Sequence, residues 1–139
     1  MSRDGDPGRC RKPKAARVTE RPHPHVLVVE DEALLLFTIA DELRDAGFTV
    51  YEASNADEAI QQLETRKRID IMFTDIDMPG SMDGLRLSAA VRDRWPPVKI
   101  IVTSGKRNPG PEALPEGGVF MPKPYVPERL TATINDMLG

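Results

Sequence analysis

The chain has 139 residues, 40% apolar and 29% charged, with a net charge of −3. That length suits one domain able to bury its own core, and the single cysteine, Cys10, excludes an internal disulfide. No apolar run approaches the ~18 residues of a membrane span, and the basic N-terminus lacks the apolar stretch of a signal peptide, so the expected location is the cytoplasm.

Residues 1–25 carry seven Lys/Arg against three acids, which leaves residues 26–139 at −7. A segment rich in Pro, Arg and Lys with few apolar residues cannot bury a core. Residues 1–23 therefore read as a disordered basic tail and residues 24–139 as the domain. An acidic domain does not suit nucleic acid, and a DNA-binding role would rest on the tail alone.

From residue 25 the pattern changes. "HVLVVE" is a short β-branched apolar run, a buried strand. "DEALLLFTIADELRDAG" places Leu36, Ile39, Ala40 and Leu43 at helical spacing, with Gly47 as a stop. "FTVYEA" is a second strand. Ser54 or Asn55 can cap the next helix, whose apolar face is Ala56, Ala59, Ile60 and Leu63. "IDIMFTD" is a third strand, "DGLRLSAAVRDRW" a third helix closed by Pro96-Pro97, and "VKIIVTS" a fourth strand. "GGVFMPK" is a short fifth strand. The last helix, "VPERLTATINDML", tolerates Pro127 in its first turn and aligns Val126, Leu130, Ile134 and Met137.

One link breaks the alternation. "GKRNPGPEALPEG" holds three prolines and three glycines, and an interior proline costs a helix about 3 kcal/mol. A single turn around "PEAL" is expected there instead of a full helix. The class is α/β: a doubly wound five-stranded parallel sheet in the flavodoxin-like order 2-1-3-4-5, with a shortened fourth helix. Ligands of such sheets sit beyond the carboxyl ends of the strands.

Those ends carry the chemistry. Strand one ends in Glu30-Asp31-Glu32, strand three in Asp75 with Asp77 beyond, strand four in Thr103-Ser104, and strand five in Lys123-Pro124. Carboxylates gathered in one pocket repel each other, and a hard divalent cation with oxygen ligands relieves that. An aspartate nucleophile, a metal, a lysine and a hydroxyl donor are the equipment of phosphoryl transfer.

These stretches, "VLVVEDE", "FTDIDMPGSMDG", "IIVTSG" and "MPKPY", resemble in order the four motifs of response-regulator receiver domains of two-component signalling. The resemblance covers about residues 24–139. It implies Asp75 as phosphoacceptor, Asp31 as direct ligand of Mg2+ (or Mn2+), and Glu30 acting on it mostly through water. It implies the Asp77 backbone carbonyl as a further ligand, Thr103 and Lys123 on the phosphoryl group, Phe120 as the switch aromatic paired with Thr103, and a cis bond at Lys123-Pro124. It implies a sensor histidine kinase or histidine phosphotransfer protein as phosphodonor, and a receiver that promotes its own phosphorylation without being a turnover enzyme. With no output segment after residue 139, a stand-alone receiver is expected. It would be a monomer or weak dimer that switches a protein surface or serves as a phosphate relay or sink.

Three departures stand out. Glu30 occupies a place where the family often has Asp. Two residues, Gly80 and Ser81, separate Pro79 from Met82-Asp83-Gly84 where the family usually has one. The fourth helix, part of the family's usual output face, is nearly absent. Two rival readings are a haloacid-dehalogenase-like phosphatase, suggested by Asp75-Ile76-Asp77, and a receiver-like scaffold that is never phosphorylated. The phosphatase pattern needs a Thr where Pro79 stands, and it places its acid pair on the first strand. Asp83 reads as a helix cap, Glu32 as a first-turn acid complementing the helix dipole, and His23 and His25 have no third ligand at metal spacing.

Overall fold

A computed structural model of the chain describes residues 23–139. Residues 1–22, with Cys10 and nearly all of the expected tail, lie outside the described residues. Five strands form one parallel sheet: β1 (His25–Val29), β2 (Thr49–Ala53), β3 (Ile71–Asp75), β4 (Lys99–Ser104) and β5 (Val119–Pro122). Their order is β2-β1-β3-β4-β5, as the alternation of elements predicts. Four helices connect or follow them: α1 (Ala33–Asp45), α2 (Ala56–Thr65), α3 (Gly84–Arg94) and α4 (Pro127–Leu138).

The sheet separates two cores. Because strand side chains alternate between faces, Val26, Val28, Ile71, Phe73, Ile101 and Met121 share one face. They pack with Leu36, Ile39, Ala40 and Leu43 of α1 and with Leu130 and Ile134 of α4. Leu27, Val29, Met72, Ile100 and Val102 take the other face, against Ala56, Ala59 and Leu63 of α2 and Leu87 and Val91 of α3. Each fully buried Leu or Ile contributes about 1.5–3 kcal/mol of transfer free energy, so these faces hold the fold together.

Local signals fix most boundaries. Gly47, at φ +100°, ends the first helix region in a backbone shape that favours glycine. Asn55 caps α2 by accepting the Glu58 amide, and Glu58 reaches back to the Ser54 amide and hydroxyl. Asp83 caps α3 by accepting the Arg86 amide. Glu32 precedes α1 with no side-chain cap. Val126 departs from expectation: it is the 59% exposed residue just before α4, and Leu130 and Ile134 alone are fully buried on that helix.

The link between β4 and β5 contains only a 3-10 turn at Pro111–Ala113. Arg92 of α3 ties it to the turn before β4. Its guanidinium donates to the carbonyls of Pro96 and Glu116, both at 2.6 Å. Leu114, Trp95 and Phe120 are partly buried against the second core and, with α3, keep Ile100 and Val102 fully covered.

Candidate functional site

The period of the strands places the site. One step beyond Val28 on the α1/α4 face comes Glu30; beyond Phe73 comes Asp75; beyond Ile101, Thr103; beyond Met121, Lys123. The polar residues thus continue the same rows that build the first core. Asp75 and Thr103 are register partners on β3 and β4. Beyond the last paired residues, Glu30 donates its amide to Ala53, Ile76 to Thr103 and Lys123 to Ser104, which fixes the backbone of each strand exit.

Glu30 (3% exposed) and Asp75 (5%) are buried, whereas Asp31 faces solvent. One carboxylate oxygen from each of the three lies within 4.8 Å of the others. Lys123 Nζ stands 3.5 Å from Glu30 and 3.6 Å from Asp75. Burial pushes both buried carboxyls above the ordinary carboxylate range. At Asp75 the ammonium and the Asp77 amide pull the other way without cancelling it. At Glu30 the opposing pulls come from the Glu32 amide and Lys123, and Asp75 adds to the rise. One lysine is therefore too little positive charge for three acids. Clustered hard oxygen donors with an exposed member are a donor set that fits Mg2+ or Mn2+.

Thr103 supplies a second sign of an intended ligand. Its hydroxyl is buried, with the residue 1% exposed, yet it has no hydrogen-bond partner. Such orphaned groups are rare and call for an explanation. The Tyr125 hydroxyl, on the same side of the sheet, is likewise buried and unpartnered. Burial, with the facing carboxylates of Glu30, Asp75 and Glu42, pushes its phenol up, and its ring packs edge-on against Phe73. The Lys123-Pro124 bond is cis.

The acids of the loop after β3 have separate partners. The Asp77 amide donates to Asp75 Oδ1 at 3.4 Å. Its side chain turns away, accepting the Ser104 hydroxyl at 2.5 Å and Arg107 Nε at 3.1 Å. Arg107 also lies 3.7 Å from Asp83. The extra loop residue Ser81 donates to Asp57 in the first turn of α2 at 2.8 Å, and Gly80 before it has φ +109°. The longer turn is thereby docked on α2. At Gly84 a Cβ would collide with the backbone carbonyl of Asp75, so only glycine lets α3 begin this close to the acid.

Of the residues singled out from sequence, Glu30, Asp31, Asp75, Thr103 and Lys123 come together. Phe120 does not join them. It pairs with Val102 on the sheet and packs, partly buried, into the second core on the opposite face. Ser104, Arg107, Gly84 and Tyr125 were not singled out. Ser104 had a signal, because a serine whose Oγ accepts the amides two and three residues on is a common local pattern.

Residues 26–135 match the family described as Response regulator receiver domain. The chain is 34% identical over 117 residues to the sensor kinase CckA of Brucella abortus, covering 81% of this chain and 12% of that protein. It is 30% identical to the aerobic respiration control protein ArcA of Escherichia coli, covering 84% of this chain and 49% of that protein. It therefore spans less than half the length of these relatives. Among solved structures, the receiver domain of the hybrid histidine kinase CckA superposes with a TM-score of 0.70 at 30% identity, over 83% of this chain and 99% of that one. A receiver domain protein from Clostridium thermocellum gives 0.76 at 26% identity, over 83% and 94%. Among the described residues no helix is long and apolar enough to cross a membrane.

Proposed function

Because the chain belongs to the response regulator receiver domain family, we propose that it is a phosphoacceptor of a two-component relay, with Asp75 as the residue that takes the phosphoryl group. The observation that carries this reading is the buried Thr103 hydroxyl, unpartnered and in register with a buried, under-neutralised Asp75.

A carboxylate oxygen of Asp75 attacks the phosphorus of a phosphohistidine. The new O–P bond forms as the P–N bond breaks, and the electron pair leaves with the imidazole nitrogen, which picks up a proton. Glu30, Asp31, Asp75 and the Asp77 carbonyl would hold Mg2+ or Mn2+, which when bound neutralises the oxygens of the transferred group. Lys123 stands within 3.6 Å of the acceptor, close enough to pair with the incoming anion in place of the carboxylates it now faces. Thr103 offers the donor that has no protein partner.

The donor is a sensor histidine kinase or a histidine phosphotransfer protein. The large exposed apolar side chains among the described residues, Leu34, Phe37 and Val126, all lie shortly after strands whose ends carry site residues. They fit a surface where such a donor rests. The phosphoryl group then either moves on or biases the segment from Thr103 to Tyr125, with Phe120 on it, toward a second arrangement read by another protein. Relay, sink and switch share this first step. The setting is the cytoplasm, and the chain is a signalling module without turnover of an external substrate. The phosphatase reading has no support in a chain matched over residues 26–135 to receivers.

Intact mass spectrometry after incubation with Mg2+ and acetyl phosphate tests the proposal. The expected result is the gain of one phosphoryl group, lost with EDTA and lost in Asp75→Asn. No gain in the unaltered protein would favour a scaffold that is never phosphorylated, and an equal gain in the variant would move the acceptor elsewhere.

A further inference from the structure

The acids beside the expected acceptor and in its loop include Glu30, Asp31, Asp77 and Asp83, and Asp57 meets the loop at Ser81. The group that must enter is an anion. Among the described residues, two cations pair with these acids, and they divide the work. Lys123 faces Glu30 and Asp75. Arg107 faces Asp77 and Asp83.

Arg107 is held for this purpose by its own backbone. Ser104 Oγ accepts the amides of Lys106 and Arg107, at 3.0 and 2.9 Å, while its hydrogen goes to Asp77 Oδ2. The guanidinium then takes the other oxygen, Asp77 Oδ1. Both carboxylate oxygens of Asp77 are thus bound from the β4 side, on the face opposite Thr103. Its amide still points to Asp75. The acid nearest in sequence to Asp75 is therefore tied back and neutralised.

We propose that Arg107 is a positioning residue for entry of the anionic phosphodonor. By pinning the Asp77 carboxylate against Ser104 and balancing its charge, it lowers repulsion at the mouth of the Asp75 pocket. The role rests on the reading of Asp75 as acceptor. Arg107 is about half exposed, so water screens the effect and its size is modest. Without the guanidinium, Asp77 and Asp83 would both be uncompensated at the rim. The site would then repel a phosphodonor while attracting a divalent cation more strongly. Those opposite signs separate this role from simple loss of structure, which weakens both.

The test measures two quantities on the whole chain at low ionic strength: the rate of phosphorylation by acetyl phosphate, and Mg2+ affinity by calorimetry. Arg107→Ala is expected to slow phosphorylation ~3- to 10-fold, with the gap closing at high salt, and to bind Mg2+ as tightly or more tightly. Arg107→Lys, which keeps the charge, recovers most of the rate. The Arg107→Ala/Asp77→Asn double variant falls behind Asp77→Asn by a smaller factor than Arg107→Ala falls behind the unaltered protein, because only Asp83 is then left unbalanced. An Arg107→Ala rate equal to the unaltered protein at low salt overturns the inference. So does a double variant that falls behind Asp77→Asn by the full factor of the single variant, or a loss of Mg2+ affinity in Arg107→Ala. An unaltered protein that gains no phosphoryl group overturns the acceptor reading itself and this role with it.

Discussion

The two faces of the sheet are finished differently at the same edge. On the α1/α4 face, two full helices cover the core, and the rows of apolar side chains end in Glu30, Asp75, Thr103 and Lys123. On the α2/α3 face, the stretch after β4 is a link with one 3-10 turn, and the β4 and β5 rows run through Val102 and Phe120 to Ser104 and Pro122. The first face concentrates burial and unbalanced charge. At this edge the second face adds to its apolar core hydrogen bonds from Arg92, Arg107 and Ser104. Chemistry needs groups fixed in a dry pocket, whereas a segment meant to change place needs bonds that can be exchanged. The two finishes meet at Thr103-Ser104, adjacent residues of β4 that alternate between the faces.

The largest expected effect breaks the first face alone. Lys123→Met removes the cation nearest the acceptor and should slow phosphorylation by acetyl phosphate about 100-fold, the scale of losing one preorganised charged donor. Amide exchange of residues 105–118 should stay as in the unaltered protein. A loss below 3-fold would mean that the face does not depend on its lysine. Next comes Gly84→Ala, which sets a methyl group against the Asp75 carbonyl. A cost of about 1–3 kcal/mol is expected from overpacking, read as a lower denaturation midpoint together with slower phosphorylation.

Arg92→Ala addresses the second face. It removes two donors from the carbonyls of Pro96 and Glu116 and should cost about 1–2 kcal/mol. Hydrogen exchange should quicken in residues 110–118 and not in α1 or α4. Uniform quickening would show that the link is not an independently held piece, and the contrast between the faces would fail.

How much of this was legible beforehand follows from the range of each interaction. The strand order, the helix faces and the cluster of Glu30, Asp31, Asp75, Thr103 and Lys123 come from period-2 and period-3.6 patterns and from positions at strand ends, which are local signals. The missing helix was legible because prolines forbid it in place. Arg107 and Arg92 were not, since their partners lie 30 and 24 residues away and a long flexible side chain carries no spacing signature. Gly84 was read as part of a helix start, because the collision that requires glycine is with a carbonyl from another strand. Val126 was placed on the apolar face of α4 by spacing. It sits instead at the cap, where the chain has not yet turned into the helix and the side chain points outward.

The smallest expected effect concerns pH and sets the acid pocket against the cap of α2. Burial raises the proton affinity of Glu30 and Asp75 in the folded state above that of the unfolded chain. Their contribution to stability is therefore full below the ordinary carboxylate range near ~4, and it is lost as pH rises through their raised folded values. Glu58 runs the opposite way. Hydrogen bonds from the Ser54 amide and hydroxyl lower its proton affinity, so its contribution is present above that range and lost as pH falls. In EDTA, Asp75→Asn should raise the melting temperature near neutral pH by a few degrees, the effect of about 1 kcal/mol in a domain of this size. The gain should shrink as pH falls toward the ordinary carboxylate range near ~4, because the native carboxyl takes up its proton above the pH at which the unfolded one does. Saturating Mg2+ should reduce the gain at neutral pH, because binding to the native acids stabilises the unaltered protein more than the variant. A gain that holds constant across this pH range would assign it to packing of the amide rather than to removal of a buried charge.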